Sequence, residues 1–283
     1  MRESSVPWWL LIGLHCYLAH ITYAQTGVYS VLPARIQALA HQGAAVRGLE
    51  ALALNPAVLA FEEKASILIS AESRFIGSGL QGANLSTGIP LLKDRGTIAF
   101  GLNYFGIPEF NQVAFTLGYG RKLTKGLALG AAMEYHSFRI DQTMPTTFGN
   151  VLLGLQCDIT SSLCFGVAMY KPFDLNNRLN QNPSSGFKTG LQYKISNLVR
   201  LYCEVEKNNI FPWYFKAAVE YEFLPILTLR LGVTTGIASF TSGIAVKLSD
   251  AFSIDMTSVF YQGLGVSPSV SLRYSLTPKT QAE

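Results

Sequence analysis

The stretch Leu127-Ala128-Leu129-Gly130-Ala131-Ala132-Met133-Glu134-Tyr135-His136 decides the fold. Its odd positions are Leu, Leu, Ala, Met and Tyr, and its even positions are Ala, Gly, Ala, Glu and His. A period of two sustained over ten residues belongs to an extended strand with one greasy face and one small or polar face. The pattern recurs. Residues 187–195 set Phe187, Leu191, Tyr193 and Ile195 against Lys188, Gly190, Gln192 and Lys194. Residues 199–206 set Val199, Leu201, Cys203 and Val205 against Arg200, Tyr202, Glu204 and Glu206, and residues 214–223 oppose Phe215, Val219, Tyr221 and Phe223 to Lys216, Glu220 and Glu222.

Working outward, segments of this kind begin near Lys64, Ala83, Gly96, Gln112, Leu127, Gly149, Leu163, Gly186, Val199, Tyr214, Leu227, Thr241, Phe252 and Val266, about fourteen in all. About ten residues is the length a tilted strand needs to cross a bilayer. Short turns follow the even-numbered segments (93–95, 123–126, 160–161, 196–197, 224–225, 249–250) and longer links follow the odd ones (76–82, 106–111, 141–148, 171–185, 207–213, 235–240, 262–267). That alternation predicts an all-β, transmembrane antiparallel barrel with short periplasmic turns, longer outer loops and both ends of the mature chain in the periplasm. Aromatic residues on the greasy face should then gather at two depths. Tyr119, Tyr193, Tyr221, Phe223 and Tyr274 mark the inner level, and Phe75, Tyr104, Tyr135, Phe215 and Phe260 the outer one.

Composition agrees with an envelope protein. Of 283 residues 49% are hydrophobic and only 14% charged, too apolar for disorder. The 22 basic residues are spread along the chain and the net charge is +4, so no basic face exists to hold nucleic acid. Residues 1–24 read as a signal peptide: Met1-Arg2, an apolar run over 6–18, and a cleavage site after Ala24. No second run is long and apolar enough for a membrane helix.

Polar residues of the opposite face are predicted to line the lumen: Glu134, His136, Lys188, Arg200, Glu204, Glu220, Arg230, Asp255 and Arg273, with Glu72, Arg74, Lys194, Glu206, Lys216, Glu222 and Lys247. Both signs alternate between neighbouring strands, so cross-strand ion pairing is expected rather than a filter of one charge. Before the first strand, residues 25–63 carry small, helix-prone stretches broken by Gly and Pro, including Asn55-Pro56-Ala57. A fourteen-strand lumen is wider than its side chains fill, so a partly helical plug is expected there. The division is therefore 1–24 signal, 25–63 plug, 64–278 barrel and 279–283 periplasmic tail.

The order of small residues, Gly43-Ala44-Ala45, then Ala53-Leu54-Asn55-Pro56-Ala57, then a strand, resembles the N-terminus of PorV/PorQ-type outer-membrane barrels, a group similar in fold to FadL long-chain fatty-acid transporters. Here Arg47-Gly48-Leu49-Glu50-Ala51 stands where that group more often has a Gly-rich acidic stretch, and no aromatic closes the chain. The resemblance implies an accessory or scaffold subunit of a type IX-like secretion or surface-attachment system, with secretion or surface proteins as partners. Short outer loops favour this. The alternative is a FadL-like channel for a small hydrophobic compound, gated by the plug.

Catalytic chemistry is not expected. His41 and His136 are the only mature histidines, and no His, Asp or Glu spacing suits a metal. Glu134 and His136 could be drawn as an acid and base, but no nucleophile is tied to them. Alternation puts Cys157 outside and Cys164 inside, so no disulfide is expected, and no cofactor.

Overall fold

The computed structural model describes residues 29–276, apart from 93–94, 142–143, 172–184, 210–211 and 237–238. The expected signal peptide, its cleavage site and the 279–283 tail lie outside the described residues.

Fourteen strands form a closed antiparallel barrel: β1 Ser66–Ser73, β2 Gln81–Pro90, β3 Thr97–Ile107, β4 Phe110–Lys122, β5 Leu127–Ile140, β6 Thr146–Asp158, β7 Leu163–Tyr170, β8 Gly186–Lys194, β9 Val199–Asn208, β10 Tyr214–Leu224, β11 Leu227–Thr234, β12 Ser239–Lys247, β13 Phe252–Tyr261 and β14 Gly265–Ser275. Each strand pairs with its sequence neighbours, and β1 closes on β14 from Ser66 opposite Ser275 to Glu72 opposite Ser269. Closure leaves no strand edge unpaired, which is what a sheet surrounded by hydrocarbon requires.

The wall is inside out relative to a soluble protein. Leu129, Met133, Leu191, Leu201, Phe215, Leu231, Met256 and Val270 are exposed, whereas Glu134, Glu204, Glu220, Arg230 and Asp255 are buried. The core inside is the segment before β1: Ile36, Leu39, Val46, Leu49, Leu52, Val58 and Leu59 are fully or almost fully buried. That segment holds a short helix, α1 (Ala34–Ala38), and two 3-10 turns, Leu49–Ala51 and Pro56–Phe61. No helix among the described residues is long and apolar enough to cross a membrane, which says nothing of the strands.

Several expectations are corrected at the barrel ends. Tyr29 donates its backbone N–H to Gln112, and its ring lies 4.4 Å from that of Phe105, both at the end opposite Ser275. The plug therefore enters the lumen at the loop end and descends to β1 at the turn end, so the two ends of the described chain are not on the same side. The link expected over 106–111 is a tight hairpin, because Gly106 belongs to the ladder, paired with Asn111, and strand pairing runs on to Ile107 and Phe110. Gly and Pro108 marked a reversal there, not its length. Likewise β6 begins at Thr146, ahead of the expected Gly149. Lys247 leaves the lumen to pair with Asp250 in an exposed turn, 2.8 Å away. Phe75 turns over the rim onto Tyr261, edge to face at 5.3 Å, while Tyr104, Tyr135, Phe215 and Phe260 stay on the outer face.

Candidate functional site: the plugged lumen

The Asn55-Pro56-Ala57 turn shows how the plug is seated. Asn55 caps the following 3-10 turn by accepting the Ala57 N–H at 3.0 Å, and Pro56 occupies the first position, where its missing N–H costs nothing. The Asn55 amide donates to Ala44 O at 2.6 Å and to Leu155 O of the wall at 3.3 Å. Such an approach to the wall backbone demands glycine beneath. A Cβ at Gly154 would fall on Asn55 Oδ1, one at Gly130 on the Pro56 backbone and one at Gly166 on Ala44 O. Gly130 and Gly154 are directly paired across β5 and β6, so the turn rests in a flat transverse slot.

Elsewhere, wall side chains satisfy the plug's main chain. Ser271 accepts from Ala34 N, Thr257 donates to Ala34 O and Thr241 donates to Ala38 O. Gln156 donates to Ala44 O, and Glu204 accepts the N–H groups of both Gly43 and Ala44 at 2.8 Å. Polar groups buried with a short irregular segment must find partners, and here the inward face of the sheet supplies them.

The predicted lining residues fall into three groups. Glu204 holds Lys216 at 2.9 Å, and Lys216 also reaches Glu206 at 2.7 Å and the His41 carbonyl at 3.1 Å. Lys188 stands opposite Glu206, 3.9 Å away. The second group centres on Glu220, which receives Arg200 at 2.9 Å, Arg230 at 2.7 Å, the Tyr202 hydroxyl at 3.1 Å and Arg35 of the plug at 3.3 Å. Arg230 continues to Asp255, and Arg273 grips two plug carboxylates, Glu50 at 2.9 Å and Glu62 at 2.8 Å. Wall-to-wall pairing was expected; the network also crosses to Arg35, Glu50 and Glu62, which sequence reasoning did not single out. Their signal was present, since these are charges in a segment otherwise made for burial. Arg47, paired with Asp158 and stacked 3.8 Å over Phe61, closes the turn end.

Glu134 and His136 form the third group, apart from the ion network. Glu134 has no Lys or Arg partner among the described residues; it accepts from Asn150 at 2.8 Å and meets His136 Nε2 at 3.2 Å. The loop end around them is aromatic. Phe105, Phe110 and Phe138 follow one another edge to face at 6.5 and 5.1 Å, and Arg74 binds the hydroxyls of Tyr29 and Tyr261 between their rings. Cys164 is buried on the lumen side and Cys203 exposed outside; these and Cys157 are free thiols. No group of residues suited to a metal ion occurs among the described residues.

A closed fourteen-strand barrel with its N-terminal segment folded in the lumen is similar in fold to solved outer-membrane barrels. The toluene transporter TbuX of Ralstonia pickettii superposes with a TM-score of 0.67 at 10% identity, covering 90% of this chain and all of that one. The toluene transporter TodX of Pseudomonas putida gives 0.66 at 12%, covering 89% and 99%, and a FadL homologue of Pseudomonas aeruginosa gives 0.60 at 11%, covering 90% and 100%. No protein-family model and no curated sequence matches the chain, so the likeness is one of fold, and nothing singles out the PorV/PorQ group.

Proposed function

We propose that the protein passes small hydrophobic compounds across the outer membrane through its lumen, with the N-terminal plug as gate. The observation that carries this reading is the construction of the plug's seat: hydroxyls, carboxylates and guanidinium groups meet its main chain and charges, beneath a collar of Phe105, Phe110 and Phe138. Water can replace each of those polar contacts when the plug shifts, whereas a wholly apolar seat would resist hydration. The collar offers apolar contact at the mouth, where a sparingly soluble solute first leaves water. The solved transporters of the same fold support the reading, at identities that fix shape alone.

The rest follows as part of the proposal. The chain is exported by its first 24 residues and resides in the outer membrane, and it acts without cofactor or catalysis. A secretion or surface-attachment role has no comparable observation behind it. The test is accumulation of radiolabelled toluene by a Gram-negative host producing the full chain, compared with an empty vector and with a chain lacking residues 25–63. Faster accumulation with the full chain, and faster still without the plug, is expected. Rates equal to the vector in both would overturn the proposal.

A further inference from the structure

The geometry points to a ring-binding slot at the loop-end mouth, walled by Arg74, Phe105 and Tyr261, that takes a neutral alkylphenol when the plug's own Tyr29 leaves it. This rests on the passage of small hydrophobic compounds proposed above and narrows their class.

The slot is defined by what sits in it. The Tyr29 side chain is itself an alkylphenol, so its contacts show both the room and the chemistry that fits. Its ring lies 4.4 Å from that of Phe105 on β3, and the Arg74 guanidinium, just beyond β1, stands 4.4 Å from its centroid. Arg74 Nη1 donates to the Tyr29 hydroxyl at 2.7 Å and to that of Tyr261, on β13, at 2.9 Å. These walls belong to the barrel, and the occupant belongs to the plug. Gln112 holds the Tyr29 main chain separately, accepting its N–H at 3.2 Å and donating to its carbonyl at 2.9 Å, so the ring can be removed while the chain stays tied.

The polar groups of the slot choose the occupant. Arg35, Arg47, Arg200, Arg230 and Arg273 each pair with a carboxylate, whereas Arg74 has no such partner among the described residues and meets phenolic oxygens instead. Glu72, buried at 4% exposure beside Tyr29, keeps its Oε1 without a hydrogen-bond partner among the described residues. Buried polar atoms are nearly always satisfied, so that oxygen asks for a donor. An anion would be repelled by Glu72 and a cation by Arg74. A hydrocarbon leaves both unmet. A neutral hydroxyl accepts from the guanidinium and has a proton left for the carboxylate. Because the tethered ring fills the slot, a free phenol competes with an effective concentration of about millimolar, and its binding favours the state in which Tyr29 has left.

The experiment titrates detergent-solubilised full chain, unaltered and carrying Tyr29→Ala, with p-cresol, p-methylanisole and toluene, read by isothermal calorimetry or ligand-observed NMR. p-Cresol reproduces the missing side chain, p-methylanisole lacks the donor and toluene lacks the oxygen. Tyr29→Ala should bind p-cresol at least about ten-fold tighter than the unaltered chain does, and at least about ten-fold tighter than it binds p-methylanisole. Adding Arg74→Leu should erase the preference for p-cresol. Binding of p-cresol by Tyr29→Ala no tighter than by the unaltered chain, or no tighter than that of its methyl ether, would overturn the slot. If Tyr29→Ala loses heat-modifiable mobility, tryptic cleavage at Arg35 of the unaltered chain is read instead; it should be faster with p-cresol than with p-methylanisole, and equal rates would overturn the slot. Toluene accumulation is measured separately, so the slot can fail while hydrophobic passage stands.

Discussion

Two sides of the lumen hold the same plug by different physics. Along β4 to β7 the plug lies flat on glycine, with Asn55 and Pro56 against Gly130 and Gly154 and Ala44 against Gly166, and scarcely a charge is involved. Along β9 to β14 it is held by Glu204, Glu220 and Arg273, and a crevice of about 290 Å3 remains beside Arg35, Glu50 and Asp255. Shape complementarity is lost at once when surfaces part, because dispersion falls steeply with distance. Ion pairs next to a crevice can exchange partners for water with less loss. For the plug movement proposed above, the glycine side would be the fixed bearing and the charged side the place where the plug first comes free.

Removing the hub of the charged side should have the largest effect. Glu220→Ala strands Arg35, Arg200 and Arg230 near one another, and breaking a buried pair in this way costs about 3–5 kcal/mol. Urea unfolding of the refolded barrel should show a loss of that order, with faster proteolysis near Arg35. An unchanged midpoint would mean the charges are solvated after all. A smaller loss, about 1–3 kcal/mol, is expected for Gly154→Val, whose side chain must push Asn55 from its slot. Here the contrast is sharpest: Gly154→Val should release the segment around Asn55 and leave the Arg35 region protected, which limited proteolysis followed by mass spectrometry would resolve.

Asn55→Ala removes a cap and should cost about 1 kcal/mol, visible as a modest shift of the unfolding midpoint. The smallest effect belongs outside the lumen. Lys247 holds the Asp250 carboxyl below its ordinary range through a 2.8 Å bond in an exposed turn. A depressed folded pKa adds stability above the unfolded carboxylate range, near pH 4, and loses it on further acidification. Asp250→Asn should therefore remove a slight stabilisation that is full at pH 7 and fades to nothing as the pH falls through about 4 to 3. A large drop at pH 7 would show that this turn couples to the plug.

Much of this was legible in the sequence, and the parts that were not share a cause. A period of two in residues 127–136 or 214–223 reports a strand and its facing directly, since each side chain answers only to its own side of the wall. Strand starts at Leu127, Leu163, Gly186, Val199, Tyr214, Leu227 and Phe252 stand as the alternation placed them. Ends were harder: Gly106 and Pro108 look alike in a two-residue hairpin and in a long loop. The plug was foreseen as a segment with Asn55-Pro56-Ala57 in it, but not its direction or its partners. Arg35 meets Glu220 across 185 residues of chain, and Arg273 meets Glu50 across 223, pairings that no local pattern encodes. The inward glycines were visible as the small phase of their strands, yet what lay upon them was not.

Tyr29 at one mouth and Glu62 at the other give the lumen a thread running its whole length, with the sheet wrapped round it. The seam that closes the wall joins its first and last strands, β1 and β14, the pair most remote in sequence. A plug laid on the sheet before that seam closes would be enclosed without being pushed through an opening, so that stopper and vessel would form together.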